Sequence, residues 1–418
     1  EAEPPAESPN EDGAPEPENP GENLTVGVLT FGPGDHPFFR FGHNAIYVKD
    51  GSNGKDRVYN YGTFAFRSKG IFLRFWLGRF KYRLSRTSLR STIRGYERRN
   101  RSVAMQELNL TPAQRWELHE FLKWNRRKAN RYYRYHYYRD NCSTRVRDAI
   151  DRVIGGRIHQ ASQGPGSMTF RDHTLRLTAG LPSVLVALHV VMGARIDQPI
   201  TEWEESFLPE QLRRQLRKVT VIRDGQEQPL VASERQLFEA DRKASLERPP
   251  QWSVYFLVAG VTWGALMALA GRAGRRRRAA RIVTALGLGL VGLVFGTLGI
   301  GFCLLWALTD HEVAYANENI LHLAPWLIGL PALALGIARG RPWAMRGAFV
   351  LTAAAAATSA LGLVLKILPW FDQHNGEIIA FGLPVVAGAA LATWWMMTPL
   401  HRGRDSSKPT GHTAPGSW

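Results

Sequence analysis

Asp140-Asn141-Cys142-Ser143-Thr144-Arg145-Val146-Arg147-Asp148-Ala149-Ile150 is the stretch on which the reading of this chain turns. A short polar turn runs into a helix. Val146, Ala149, Ile150, Val153 and Ile154 are spaced for one apolar helical face. Asp140 or Asn141 can cap that helix and Gly155-Gly156 can end it. A thiol in the first turn meets unsatisfied N–H groups and the positive end of the helix dipole. Both predict a lowered thiol pKa and a reactive thiolate at Cys142. The plainer reading is a small buried residue at a helix start. The second cysteine, Cys303, falls inside an apolar run, which argues against a disulfide between them.

Working outward, composition divides the 418 residues into unlike parts, so the net charge of +17 is a poor guide on its own. Residues 1–23 are acidic, rich in proline and free of Lys and Arg, and read as a disordered leader. The sequence starts at Glu rather than Met, as it would after removal of an upstream signal peptide; an edited start would look the same. Residues 24–250 read as an extracytoplasmic domain. Residues 251–400 contain five apolar runs, 253–271, 282–308, 322–338, 345–367 and 378–398, each taken as a helix crossing a ~30 Å hydrocarbon core. Residues 401–418 form a polar tail.

Arginine orients these runs. The loop 272–281 carries Arg272, Arg275, Arg276, Arg277, Arg278 and Arg281, and the loop 339–346 carries Arg339, Arg341 and Arg346. The intervening loops, 309–321 and 368–377, hold Asp310, Glu312, Glu318, Asp372 and Glu377 and no Lys or Arg. Basic loops stay in the cytoplasm, so the expectation is five spans, residues 1–250 outside and the tail inside. Topology accounts for these basic clusters, and no nucleic-acid motif accompanies them. The arginines between 57 and 152, among them Arg67, Arg74, Arg79, Arg83, Arg86 and Arg99, read mainly as a solvated face.

Leu24 to Phe31 reads as a strand, and Ala45 to Val48 with Arg57 to Phe64 as a hairpin turning at Asp50-Gly51-Ser52-Asn53-Gly54. Thr111-Pro112-Ala113-Gln114 is a helix start with a capping box. Tyr132, Tyr133, Tyr135, Tyr137 and Tyr138 form either a membrane-interface belt or an aromatic wall beside the Cys142 helix. A thiol becomes an acyl-accepting nucleophile when a base takes its proton and a third group orients that base. His43, opening a strand beside Gly42, is the best-placed base; its competing reading is a structural histidine. His36, His119 and His136 fit less well.

Four blocks in order resemble the bacterial lipoprotein N-acyltransferase family called Lnb. They are Phe41-Gly42-His43-Asn44-Ala45, Val58-Tyr59-Asn60-Tyr61-Gly62-Thr63-Phe64, Tyr135 through Asp148, and Thr309-Asp310-His311 with Asn317-Glu318-Asn319-Ile320-Leu321. The resemblance runs over nearly everything after residue 24. It implies an α+β outer domain of the permuted papain-like, NlpC/P60-related kind, with the His strand before the Cys helix, joined to an all-α membrane domain of five helices. It further implies a multi-pass inner-membrane enzyme with its catalytic domain on the periplasmic side. Such an enzyme moves an acyl chain from a phospholipid, through a thioester on Cys142, to the α-amine of a diacylated lipoprotein's N-terminal cysteine. His43 would be the base and Asn60, Tyr59 or Tyr61 its orienting partner, strand alternation making Asn60 and the tyrosines mutually exclusive.

His311, Asn317 and Asn319 crowd polar groups at the membrane edge and are expected, with Arg145 of the cysteine block, to contact substrate. No cofactor or metal is expected, nor nucleic acid as a partner. The alternatives are a Cys–His hydrolase, either a peptidoglycan amidase/endopeptidase or a phospholipase, and a non-catalytic module that binds lipoproteins.

Overall fold

The computed structural model describes residues 20–64, 77–79 and 81–398. The leader up to residue 19, Arg67, Arg74 and the tail 401–418 lie outside the described residues. The chain divides into two compact units, one made of Glu1–Pro250 with Leu304–Asn317, the other of Gln251–Cys303 with Glu318–Trp418.

In the first unit, β1 (Leu24–Phe31), β2 (His43–Asp50), β3 (Lys55–Phe64) and β4 (Lys81–Thr87) form an antiparallel meander. Helix α1 (Leu89–Glu97) leads to β5 (Val103–Leu108), which pairs with the free edge of β1. Helix α2 (Pro112–Arg126), started by the Thr111–Gln114 capping box, and the short β6 (Tyr132–Arg134) precede α3 (Cys142–Val153). Five helices follow: α4 (Arg157–Ala161), α5 (Phe170–Thr178), α6 (Pro182–Val191), α7 (Glu202–Glu205) and α8 (Pro209–Leu216). A small hairpin, β7 (Thr220–Arg223) with β8 (Gln226–Pro229), and then β9 (Val231–Phe238) come next. The main sheet runs β6-β4-β3-β2-β1-β5-β9.

Alternation sorts the sheet's residues to its two faces. Val26, Val28, Ile46, Val48, Tyr59 and Tyr61 join Val146, Ile150 and Val153 of α3 and Leu118 and Leu122 of α2 in one core cluster. Leu29, Phe31, Ala45, Tyr47, Val58, Val103 and Met105 pack on the other face against Leu89, Ile93 and Tyr96 of α1. The apolar face read from the sequence around Cys142 is thus the face that holds α3 to the sheet. Asn141, not Asp140, supplies the cap: its Oδ1 accepts from Ser143 N at 2.8 Å and Thr144 N at 3.0 Å.

The second unit is helical. Among the described residues four helices are long and apolar enough to cross a membrane: α9 (Ser253–Gly274), α10 (Arg278–Leu308), α12 (Pro342–Leu365) and α13 (Gly376–Met397). Helices α9 and α13 meet through small residues. A Cβ on Gly264 would strike the Pro384 carbonyl, and one on Gly388 would strike the Gly264 backbone. The third apolar run departs from the expected full span. It forms a 3-10 turn, Pro325–Gly329, and then the nine-residue α11 (Leu330–Ala338). Pro325 and Pro331 withdraw amide donors and Gly329 sits between them, so no continuous helix builds up. Pro325–Ala338 is a shorter apolar stretch than its neighbours, about 21 Å at ~1.5 Å per residue against a ~30 Å core.

Candidate active site

The site lies where the sheet opens. The ladder between β2 and β3 runs from Asp50↔Lys55 only as far as Ile46↔Tyr59, although β2 starts at His43 and β3 continues to Phe64. The β3–β4 register shifts between Asn60 and Thr63, a bulge that bends β3 away from β2. Gly62 sits in that bulge with φ of +82°, and a Cβ there would lie 3.4 Å from the Cys142 Cβ. Glycine meets both demands, the left-handed backbone and the close approach of the α3 N-terminus.

The half-buried Cys142 fills the opening. The N–H groups of Asn44, Cys142 and Ser143 point at its sulfur. Ser143 Oγ fixes this docking, 2.8 Å from Asn44 Oδ1 and 2.7 Å from the Ser206 carbonyl. Asn141, buried beneath, also donates from Nδ2 to the Tyr137 and Phe207 carbonyls at 2.9 and 3.0 Å. Each such bond contributes about 1 kcal/mol net, and a partner left unsatisfied costs more. The thiol therefore stands one residue along β2 from His43.

His43 Nε2 lies 3.3 Å from Asn60 Oδ1. When that contact is Nε2–H donating to the amide oxygen, Nδ1 carries the lone pair, the tautomer needed to accept a proton. Asn60 Nδ2 in turn donates to Val58 O at 3.3 Å and Thr87 Oγ1 at 3.2 Å, which fixes its orientation. Strand alternation decides among the three orienting candidates. Tyr59 and Tyr61 point into the core on the opposite face, and Tyr61 Oη donates to Asn125 Oδ1 at 2.9 Å. The structure brings Asn60 to His43 and does not bring Tyr61 there.

Electrostatics reverses one expectation. Burial pushes the Cys142 thiol above its ordinary pKa, outweighing the N–H groups of Asn44, Cys142 and Ser143 and the Arg101 charge, which all lower it. Burial, reinforced by Arg101, lowers His43 to about 4, against the raising effect of Asn60. Helix-start donors alone favour a thiolate; desolvation of a charge is the larger effect here. Both shifts favour a resting pair of neutral thiol and neutral imidazole.

Two of the tyrosines, Tyr133 and Tyr135, stand at the thiol. Tyr133 Oη and Tyr135 Cε2 come within 3.9 and 4.0 Å of the Cβ position at Gly62, beside Cys142, and Tyr135 stacks on Tyr82 at 4.2 Å. Arg145 is paired with Asp140 through Nε–Oδ1 at 2.5 Å and Nη2–Oδ2 at 2.6 Å, and its guanidinium lies 4.4 Å from the Tyr133 ring. His311 belongs to the first unit, where its ring stacks on Tyr137 at 6.5 Å. The neighbouring Asp310 bridges Arg79 at 3.0 Å and Arg134 at 3.1 Å. Asn317 donates to the Val190 and Val191 carbonyls at the end of α6, both at 2.9 Å. Asn319 lies in the second unit, buried, with its Oδ1 2.9 Å from Asn375 Nδ2. Among the described residues no group of three His, Cys, Asp or Glu side chains could hold a metal ion.

Two contributors were missed in the sequence. Asn44 stands inside a quoted block, but nothing in the spacing says that its N–H faces the sulfur. Arg101 was lost among arginines that read as a solvated face, although it is only 3% exposed.

With this geometry established, comparison with known proteins adds one match. Residues 16–177 match the family described as the Lnb N-terminal periplasmic domain. This segment is similar to that Lnb domain. No curated protein and no solved structure matches the chain. The chain thus carries a periplasmic domain of the Lnb, lipoprotein-modifying type, followed by helices that can span a membrane. It is a membrane protein whose N-terminal domain is periplasmic.

The neutral pair makes a direct prediction for the Lnb domain. In a Cys303→Ser background, alkylation of Cys142 by iodoacetamide should rise with a midpoint above that of a free cysteine thiol, ~8.5. A midpoint near pH 7 or below would mean a resting thiolate–imidazolium pair and contradict the assignment. His43 should also make stability pH-dependent. Its folded pKa lies below the unfolded value of ~6.5, so stability is unaffected above that pH and falls as pH drops towards 4.

Proposed function

We propose that this protein is a cysteine-dependent acyltransferase that acylates the α-amine of a lipoprotein's N-terminal cysteine, taking the chain from a phospholipid ester. The observation that carries the reading is the His43–Asn60 pair next to a thiol held in an opened sheet, within an Lnb domain. The order of His strand before Cys helix, with the helix start against the sheet, supports a permuted papain-like, NlpC/P60-related arrangement.

The chemistry follows from the neutral pair. Cys142 Sγ attacks the ester carbonyl carbon as its proton passes to His43 Nδ1. Charge collects on the former carbonyl oxygen. Asn141 takes the N–H groups of Ser143 and Thr144, so the Cys142 N–H is the first-turn donor that the cap does not claim. Collapse breaks the C–O bond, His43 returns the proton to the leaving alkoxide, and a thioester remains. The lipoprotein amine then attacks the thioester and gives its proton to His43. The C–S bond breaks, the thiolate regains that proton, and the product is an amide. Asn60 holds the imidazole in the required tautomer throughout. The tyrosine wall and His311 are the side chains we assign to the lipid ester and the acceptor. Arg145, paired with Asp140, shapes the wall through Tyr133.

We further propose five crossings of the inner membrane, with Pro325–Ala338 completing the third. Two observations support this. Residues 304–317, the last residues of α10 and the segment after it, group with the periplasmic unit, while Arg339 and Arg341, after α11, carry the charge expected of a cytoplasmic loop.

Intact mass spectrometry of a diacylated lipoprotein, incubated with the protein in phospholipid micelles, tests the reaction. The lipoprotein should gain one acyl chain and lose its free amine. Cys142→Ser should abolish this, Asn60→Ala should slow it by roughly 10²-fold, and Tyr61→Phe should leave it nearly unchanged. An unchanged mass with a blocked amine would move the donor to the lipoprotein's own ester. Release of fatty acid from the phospholipid with the lipoprotein untouched would make the protein a phospholipase. Topology is tested by single cysteines on a Cys142→Ser, Cys303→Ser background. His374→Cys, on an exposed position of the loop before α13, should react with an impermeant maleimide from the periplasmic side, and Arg276→Cys should not. The opposite pattern would invert the arrangement.

A further inference from the structure

Arg101 lies between α1 and β5, almost fully buried. Its Nε donates to the Gly32 carbonyl at 2.8 Å. Its guanidinium sits over the rings of Tyr96 at 4.7 Å and Phe39 at 5.0 Å. Its Nη2 is buried without a hydrogen-bond partner, and no carboxylate pairs with it among the described residues. Ring contacts link it to the site. Tyr96 stacks on Phe31 at 3.8 Å, and Phe31, which stands opposite His43 in the β1–β2 register, stacks on the His43 ring at 5.6 Å. A buried cation is costly unless an opposite charge answers it.

We infer that Arg101 is a positioning residue that acts through its charge, serving as the standing counter-ion of the negative charge that forms on Cys142 and driving the proton off His43. The inference rests on the Cys142–His43 reading. It concerns the second half of each step. A thiolate leaving group is stabilised by the guanidinium, and an imidazolium beside it is a stronger acid towards the leaving alkoxide. The groups facing these charges support the assignment. Arg101 acts on both His43 and Cys142. Tyr82 of β4, Tyr96 of α1, Tyr133 of β6 and Tyr135 also feel the sulfur. Burial pushes their hydroxyls up, so they stay uncharged. Arg99 and Arg242 press on Arg101 from outside, and Arg242 is itself paired with Asp35 at 2.8 Å.

The test uses the full-length protein in detergent with Cys303→Ser. The thiol limb is read from iodoacetamide alkylation against pH. The imidazole limb is read from the acid side of the acylation burst with p-nitrophenyl butyrate. Arg101→Gln should move both limbs to higher pH, each by about one unit, so that alkylation at pH 8 slows about tenfold. Arg101→Lys, which keeps the charge, should leave both limbs near the wild-type values. A purely structural role gives a different signature. Loosening hydrates the site, moving the imidazole limb up and the thiol limb down. That opposed movement in Arg101→Gln or Arg101→Lys, or unmoved limbs in Arg101→Gln, would overturn the inference. If Arg101→Gln does not fold, the Arg101→Lys result decides by the same criterion. A wild-type protein with no acylation burst at all would instead refute the Cys142–His43 reading.

Discussion

The docking of one helix start into an opened sheet is the constraint on which the site depends. β2 and β3 stop pairing at Ile46↔Tyr59, and the bulge through Gly62 turns β3 aside. The vacated backbone donor at Asn44 is then answered by the Cys142 sulfur instead of by a neighbouring strand. Everything else at the site serves that exchange. Asn141 caps α3 and ties it to the Tyr137 and Phe207 carbonyls, Ser143 reaches Asn44, and Val146 and Ile150 bury the helix against the sheet. A nucleophile on a packed helix and a base on a central strand are both rigidly held, which orientation-dependent catalysis requires.

Two opposing effects meet at the sulfur. Helix-start N–H groups and a nearby guanidinium favour the thiolate; burial favours the thiol, and burial is stronger. The same burial keeps His43 uncharged. The Cys142–His43 pair itself thus carries no charge at rest. That suits the proposed acyl transfer, in which charge on the sulfur and the imidazole forms only as the ester is attacked.

Much of this was legible in the sequence, for identifiable reasons. Helix α3 announces itself by apolar spacing and a polar cap, and the β2–β3 hairpin by its Asp-Gly-Ser-Asn-Gly turn. Cys142 stood out by its place at a helix start, His43 was singled out by the Lnb-like blocks, and Asn60 was one of three candidates with Tyr59 and Tyr61. Local pattern could not supply the register. Whether Asn60 or Tyr61 faces His43 depends on a bulge whose only trace is Gly62. Nor could it weigh burial against the helix dipole, so the thiol's direction of shift came out reversed. Arg101 looks like its exposed neighbours because burial is a tertiary property. In the helical region, hydropathy located the apolar run at 322–338, but Pro325, Gly329 and Pro331 set how little of it becomes α-helix.

The central claim is that Cys142 carries the acyl chain covalently, and it can be measured on the protein itself. The full-length chain is incubated with phospholipid in the absence of any lipoprotein, quenched in acid, digested and analysed by mass spectrometry. The account predicts that the peptide containing Cys142 gains the mass of one fatty acyl group. That adduct should be released by neutral hydroxylamine, as a thioester is, and should be absent in His43→Ala. An unmodified Cys142 peptide under conditions in which the lipoprotein amine does become acylated would contradict the account.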